Sequence, residues 1–321
     1  MPIFFDTKTL ILLGGPTASG KSAVAVELAK KLSGVVVNAD SVQVYKDLPI
    51  LTAVPPEEDR KGVPHYLYQI LDWDQPSSVN DWLQRVDSCV ESEWDSNAFC
   101  VVGGTGLYLS SLMYGLSPIP EVEEEVKARI RKQGQALLIA SGPQALYERV
   151  VRVDPMVAGR IHPHHSQRLI RAWEVMEQTG RSIVLWQREP RLKNYYPKSQ
   201  LFVIDSPRET LAERIEQRCR RMINDGVLDE IKVFLEKSQG NWSPLHKSIG
   251  FFEFKQYLDG RYTLEEAITQ VASATRQYAK RQQTWFRTQY EAQDVFLVPF
   301  TSPQEQADVI IQRLLAAGSE L

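Results

Sequence analysis

The chain has 321 residues, 43% of them hydrophobic and 24% charged, with a formal net charge of −3. This is the make-up of a globular protein with one large domain or two smaller ones, and it excludes disordered and collagen-like chains. No apolar stretch is long enough to span a bilayer, and Met1-Pro2-Ile3-Phe4-Phe5-Asp6 lacks the basic and long apolar regions of a signal peptide.

Residues 9–13 read as a buried strand, followed by Gly15-Pro16-Thr17-Ala18-Ser19-Gly20-Lys21-Ser22 and a helix over Lys21–Leu32. The octapeptide matches the P-loop pattern G-x-x-x-x-G-K-[ST] at every fixed position, between a strand and a helix. Glycines there let backbone N–H groups curl round an anion, and the helix N-terminus adds a positive dipole. Lys21 is spaced to reach phosphate oxygens, and the Ser22 hydroxyl is spaced to help hold Mg²⁺. A second strand, Val35-Val36-Val37, leads to Asp40-Ser41, and residues 48–76 look irregular. Ser77 or Ser78 caps an expected helix to about Asp95. A third strand, Phe99-Cys100-Val101-Val102, ends in Gly103-Gly104-Thr105-Gly106.

From Glu121 to about Arg188 only helical periodicity is found. Leu201-Phe202-Val203-Ile204-Asp205 restores a strand, Pro207 starts a helix, and a late strand lies near Val295-Phe296-Leu297-Val298. The expected fold is therefore α/β, a P-loop NTPase-like parallel sheet flanked by helices with an inserted all-helical domain. The core takes residues 1–117 and 199–321, with C-terminal helices, and the insertion takes 118–198.

Ligands of open α/β sheets bind outside the carboxyl ends of the strands, so the P-loop, Asp40-Ser41 and Gly104-Thr105-Gly106 should converge on one crevice. Asp40 reads as a general base, a Mg²⁺ ligand or a helix cap, and Thr105 as a phosphate or substrate contact or a turn hydroxyl. Three segments carry basic faces: Arg214, Arg218 and Arg221; Arg276, Lys280, Gln283 and Arg287; and Arg160 to Arg168 with Arg171. Each alone is most simply a solvated face, but together they suit counterion-releasing contact with phosphates, which the average charge does not exclude. His162, His164 and His165 lack the H-x-x-x-H spacing of a helical metal site. Cys89, Cys100 and Cys219 form no C-x-x-C pair, which fits a reduced, cytoplasmic compartment rather than a zinc or disulfide framework.

Taken together, these residues resemble the bacterial tRNA dimethylallyltransferases. The matching motifs are the P-loop octapeptide, Asp40-Ser41-Val42-Gln43-Val44-Tyr45, and Val102-Gly103-Gly104-Thr105-Gly106-Leu107-Tyr108-Leu109. Further along come Gln167-Arg168-Leu169-Ile170-Arg171-Ala172-Trp173-Glu174-Val175, Ser248-Ile249-Gly250-Phe251, and Thr275-Arg276-Gln277-Tyr278-Ala279-Lys280-Arg281-Gln282-Gln283-Thr284-Trp285-Phe286-Arg287. The resemblance implies transfer of a dimethylallyl group from dimethylallyl diphosphate to the exocyclic N6 of an adenosine in tRNA. That adenosine lies just 3′ of the anticodon in tRNAs reading codons that begin with U.

The same resemblance implies roles for particular residues. Asp40 is the base, with Thr105 and Arg218 in the reaction centre. Gly15, Thr17, Ala18, Ser19, Gly20, Lys21 and Ser22 hold the donor diphosphate, with Mg²⁺ on Ser22. Asp40, Ser41, Val42, Gln43, Gln167, Arg168, Arg171, Ser248, Gly250, Arg276, Lys280, Arg281, Gln283 and Arg287 meet the tRNA, the insertion contacting its anticodon stem-loop. Gln43 would read the adenine edge. The protein is expected to act as a monomer and away from membranes. Two segments depart from the family pattern: Leu51 and Val54 stand where a glycine and a lysine are usual, and His164-His165-Ser166 replaces an acidic position. A P-loop kinase, a free adenine-nucleotide prenyltransferase and an inactive tRNA-binding relic are the competing readings. The first leaves the basic C-terminal helix unexplained, the second does not need three basic faces, and the third predicts a damaged P-loop.

Overall fold

The computed structural model describes residues 9–93, 98–191, 196 and 199–318. The N-terminal segment read against a signal peptide, the expected helix end at Asp95 and the expected boundary at residue 198 lie outside them.

Six strands form one all-parallel sheet among the described residues: β1 (Thr9–Gly14), β2 (Val35–Asn38), β3 (His65–Tyr66), β4 (Ala98–Gly103), β5 (Gln200–Asp205) and β6 (Val295–Pro299), in the order β3-β2-β4-β1-β5-β6. All of β2 and β4 is buried, as expected for strands covered on both faces. The register is tight where it shapes the site. Gly14 pairs with Gly103 at the carboxyl ends of β1 and β4. A Cβ on Gly103 would lie 2.0 Å from the Ala39 carbonyl oxygen, so only glycine lets the end of β4 pass the turn after β2.

The helices α1 (Lys21–Leu32), α2 (Pro49–Thr52), α3 (Glu57–Arg60), α4 (Val79–Ser92) and α5 (Gly106–Tyr114) connect the first four strands and lead out of β4. Ser78 caps α4 in a reciprocal capping box with Asp81. The segment expected to be irregular holds α2, α3 and β3, elements too short to leave a periodic signal. After β5 come α9 (Arg208–Asn224), α10 (Val227–Ser238), α11 (Phe251–Leu258) and α12 (Leu264–Thr288), then β6 and α13 (Pro303–Gly318). Ile11, Leu13, Val24, Leu28, Cys100, Phe202 and Ile310 pack α1 and α13 against the sheet. Val44, Tyr45, Ile215, Phe234, Phe254, Val271 and Ala279 form a separate core among the later helices.

The chain divides into two compact units, Met1–Met113 with Tyr196–Leu321, and Tyr114–Tyr195. The second contains α6 (Glu124–Val153), α7 (Ser166–Thr179) and α8 (Ile183–Trp186). Its core is Ile130, Leu146, Val150, Leu169 and Trp173. Helix α6 breaks where Gly142 takes φ 77° and Pro143 follows. No helix among the described residues is long and apolar enough to cross a membrane.

Candidate active site

The P-loop is shaped by two left-handed residues, Ala18 (φ 65°) and Gly20 (φ 91°), between β1 and α1. Arginines from α9 converge on it. Arg218 Nη1 donates to Thr17 Oγ1 at 2.8 Å, and Arg214 Nη1 to the Ser19 carbonyl at 3.3 Å. Of the basic face expected on this helix, two members therefore serve the loop, while Arg221 pairs with Asp225 at 3.4 Å. Burial pushes Lys21 from 10.5 down to about 8, with nearby Asp40 opposing the shift and Arg218 adding to it. Burial likewise lowers Arg218, against the fields of Cys219 and Asp40. Two like charges crowded together in this way favour an anion that would neutralise them.

Asp40 is fixed by the Asn38 side chain and the Val42 main chain. Its N–H donates to Asn38 Oδ1 at 2.9 Å, its carbonyl accepts from Asn38 Nδ2 at 3.0 Å, and its Oδ1 accepts from Val42 N–H at 3.1 Å. Oδ2 takes no part in these three bonds. Asn38 is fully buried and also donates to the Leu67 carbonyl. Its own carbonyl takes the Trp82 indole N–H at 2.8 Å, and Trp82 stacks on Tyr108. Neither Asn38 nor Trp82 was among the expected site residues. The signal for Asn38 was present, because Asx residues two positions before a turn bind their own backbone. Thr105 Oγ1 accepts from the Ser41 N–H at 3.1 Å, and Thr105 N–H donates to the Ala39 carbonyl at 3.3 Å. The ends of β2 and β4 and the P-loop thus stand together.

Gln43 donates through Nε2 to the carbonyls of Thr52 and Ala53, at 2.9 and 2.8 Å. Its donor is spent on α2, so Oε1 is the atom it can offer a substrate. Leu51 is buried against the position of Gly250, and Glu230 holds α2 by accepting from the N–H groups of Ile50 and Leu51. Val54 packs on the sheet core. The two departures near α2 are thereby absorbed as packing.

Of the residues expected to meet RNA, Ser41 and Val42 sit half-buried beside Asp40. On α12, Arg276, Lys280, Arg281 and Arg287 are exposed and Gln283 is half-buried. Ser248 and Gly250 are buried, and their side-chain positions are not presented to solvent. In the second unit Gln167 and Arg168 are exposed, while Arg171 donates to buried Glu174 at 3.2 Å, alongside Arg131. His162 stacks on His164 at 5.4 Å between ring centroids. No cluster of three His, Cys, Asp or Glu suited to a metal exists among the described residues.

Buried Ser19 Oγ and Arg218 Nε lack a hydrogen-bond partner among the described residues. Orphaned polar atoms of this kind in a cationic loop fit a bound phosphate group. Mg²⁺ typically takes one or two protein oxygens and completes its shell with phosphate and water, so the hydroxyl at Ser22 also fits.

A family model described as IPP transferase matches residues 43–289. The chain is 42% identical to a tRNA dimethylallyltransferase of Rhodospirillum rubrum over 87% of this chain and 85% of that protein. It is 43% identical to one of Chelativorans sp. over 88% and 96% respectively. Among solved structures, the full-length tRNA isopentenylpyrophosphate transferase of Bacillus halodurans superposes with a TM-score of 0.68 at 31% identity, covering 98% of each chain. A eukaryotic dimethylallyltransferase acting on tRNA gives 0.74 at 29% identity, covering 97% of this chain and 78% of that one. By its matched length and its identity to these relatives, the chain belongs to the IPP transferase family of prenyl-transferring enzymes.

Proposed function

We propose that the protein transfers a dimethylallyl group from dimethylallyl diphosphate to the exocyclic N6 of the adenosine 3′-adjacent to the anticodon, in tRNAs reading codons that begin with U. The observation that carries this reading is the placing of one carboxylate, Asp40, within the fields of Lys21 and Arg218. A proton acceptor beside two cations suits a reaction that frees a proton and a diphosphate together. The two curated relatives, each named tRNA dimethylallyltransferase, support a dimethylallyl group as what is transferred and tRNA as what receives it.

An exocyclic aromatic amine is a weak nucleophile because its lone pair is delocalised into the ring. Bond formation from N6 to the allylic C1 proceeds as the C1–O bond breaks, and the electron pair of that bond leaves on the diphosphate. Lys21 and Arg218 meet the growing negative charge. Asp40 Oδ2 takes the proton that N6 loses. Thr105 holds the Asp40-Ser41 turn through the Ser41 N–H. Ser22 would hold Mg²⁺, which when bound neutralises diphosphate charge.

The adenine must leave its stack to reach Asp40, and Gln43 Oε1 offers its amino group an acceptor. Arg276, Lys280, Arg281 and Arg287 on α12 would meet RNA phosphates, and Gln167 and Arg168 of the second unit would add contacts to the anticodon stem-loop. Incubation with unmodified tRNA, Mg²⁺ and dimethylallyl diphosphate, followed by nucleoside mass spectrometry, should yield prenylated adenosine. Unmodified adenosine as the sole outcome, with RNA bound, would refute the reading.

A further inference from the structure

Helix α12 buries an amide side chain that its exposed basic face does not explain. Gln282 is 5% exposed, in a row of mostly apolar buried residues that includes Val271, Ala272, Ala279 and Phe286, the one other polar member, Thr275, returning its hydroxyl to the Val271 carbonyl of the same helix. Its Oε1 accepts from the Thr17 N–H at 2.8 Å, and its Nε2 donates to the Gly104 carbonyl at 2.9 Å. One amide therefore spans the P-loop and the loop after β4. A Cβ on Gly104 would lie 2.1 Å from Nε2, so a larger residue there would displace the amide from this position.

Thr17 is consequently held from two sides, by Gln282 at its N–H and by Arg218 at its hydroxyl. An N–H turned toward Gln282 points away from the anion. It fixes the direction in which the chain enters left-handed Ala18, and so the aim of the amides that follow. The other end of the bridge precedes Thr105, which holds Ser41 next to Asp40. We propose that Gln282 is a positioning residue that sets the P-loop for diphosphate and fixes its distance from the Thr105 loop. It does so by acting through Thr17 and Gly104 without touching the donor. This rests on the P-loop being the diphosphate site of the proposed reaction.

Gln282→Met keeps the length and the apolar packing but removes both hydrogen bonds. Its affinity for inorganic pyrophosphate, measured by calorimetry, should fall about tenfold, the effect of losing one or two buried hydrogen bonds. Its KM for dimethylallyl diphosphate should rise by a similar factor with tRNA affinity unchanged, while the urea midpoint falls modestly, because two buried backbone groups lose their partner but the apolar stripe still docks α12. Gln282→Glu adds a second readout. The carboxylate can accept from Thr17 but cannot donate to Gly104, whereas the neutral acid can do both. Its pyrophosphate affinity relative to wild type should therefore recover as pH falls from about 8 to about 5.5, a range that brackets the ionisation of a buried carboxyl. Wild-type pyrophosphate affinity in Gln282→Met overturns the proposal. So does an equal loss of pyrophosphate binding, tRNA binding and stability, which would make the amide a structural tie only. Absence of prenylated product with the wild-type protein would instead refute the reaction, and leave the pyrophosphate result standing.

Discussion

Asp40 keeps one oxygen on the Val42 N–H, so a substitution can separate its turn from its chemistry. Asp40→Asn can still accept from Val42, but its amide cannot take a proton from N6. Turnover should fall about 10²–10⁴-fold, the usual contribution of a general base, while tRNA affinity stays within twofold. Single-turnover rates and filter binding would check this, and near-normal turnover would remove Asp40 from the role of base. Lys21 gives the site its pH dependence. Its folded pKa of about 8 lies below the ordinary 10.5, so between these values the unfolded chain binds more protons. Stability therefore rises with pH across that window, and the cost of burying the charge is fully present below about 8. Function runs the other way. As pH rises through about 8 the free enzyme loses the charge that draws diphosphate, so kcat/KM for the donor should decline there. The decline in kcat should come at higher pH, because the bound anion stabilises charged Lys21. In Lys21→Arg the kcat/KM decline should vanish, whatever the residual rate; its persistence would assign the titration to another group.

The P-loop, Asp40 and Thr105 were legible because each follows a strand whose apolar run is plain in the sequence, and the parallel topology brings strand ends together. The basic face on α9 was legible only in part, for a physical reason. Helical spacing shows that Arg214, Arg218 and Arg221 share a side, but not that two of them turn inward to the P-loop. Ser248 and Gly250 likewise belong to a recognisable motif yet lie buried, with Gly250 against Leu51 and Val271. Tertiary bridges such as Gln282 to Thr17 span 265 residues and leave no local pattern. Two elements can be tested as elements. At the end of β4, Gly103→Ala drives a methyl into the Ala39 carbonyl, and backbone on both sides limits relief. A loss of about 3 kcal/mol is expected, the upper part of the range for overpacking, read from the urea midpoint. On α12, replacing exposed Arg276 and Lys280 by alanine should weaken tRNA binding and reduce the slope of log K against log salt by about 1 per residue. An unchanged slope would show that this face does not meet phosphates.

At the scale of the molecule, the chain joins a parallel-sheet unit that carries the P-loop, Asp40 and Thr105 to a helical unit with a hydrophobic centre of its own. The second unit pairs its buried carboxylates internally. Glu174, 2% exposed, receives Arg131 and Arg171, and buried Asp154 accepts from the Ser182 hydroxyl at 2.7 Å. Trp173 is buried beneath the Arg149 guanidinium, 4.9 Å from its ring centroid. A segment with its own core and closed polar pairs has what independent folding requires. Expressed alone, residues 114–195 should be helical and unfold in urea as a single cooperative step, with the emission of Trp173 and Trp186 and the far-ultraviolet dichroism changing together. Glu174→Ala should then destabilise this fragment by only about 1 kcal/mol, because the two arginines lose their shared carboxylate but are exposed enough to keep their hydration. A gradual, non-coincident transition in the isolated segment would mean that its helices depend on the rest of the chain. In that case the RNA contacts proposed for Gln167 and Arg168 would have to be tested only in the intact protein.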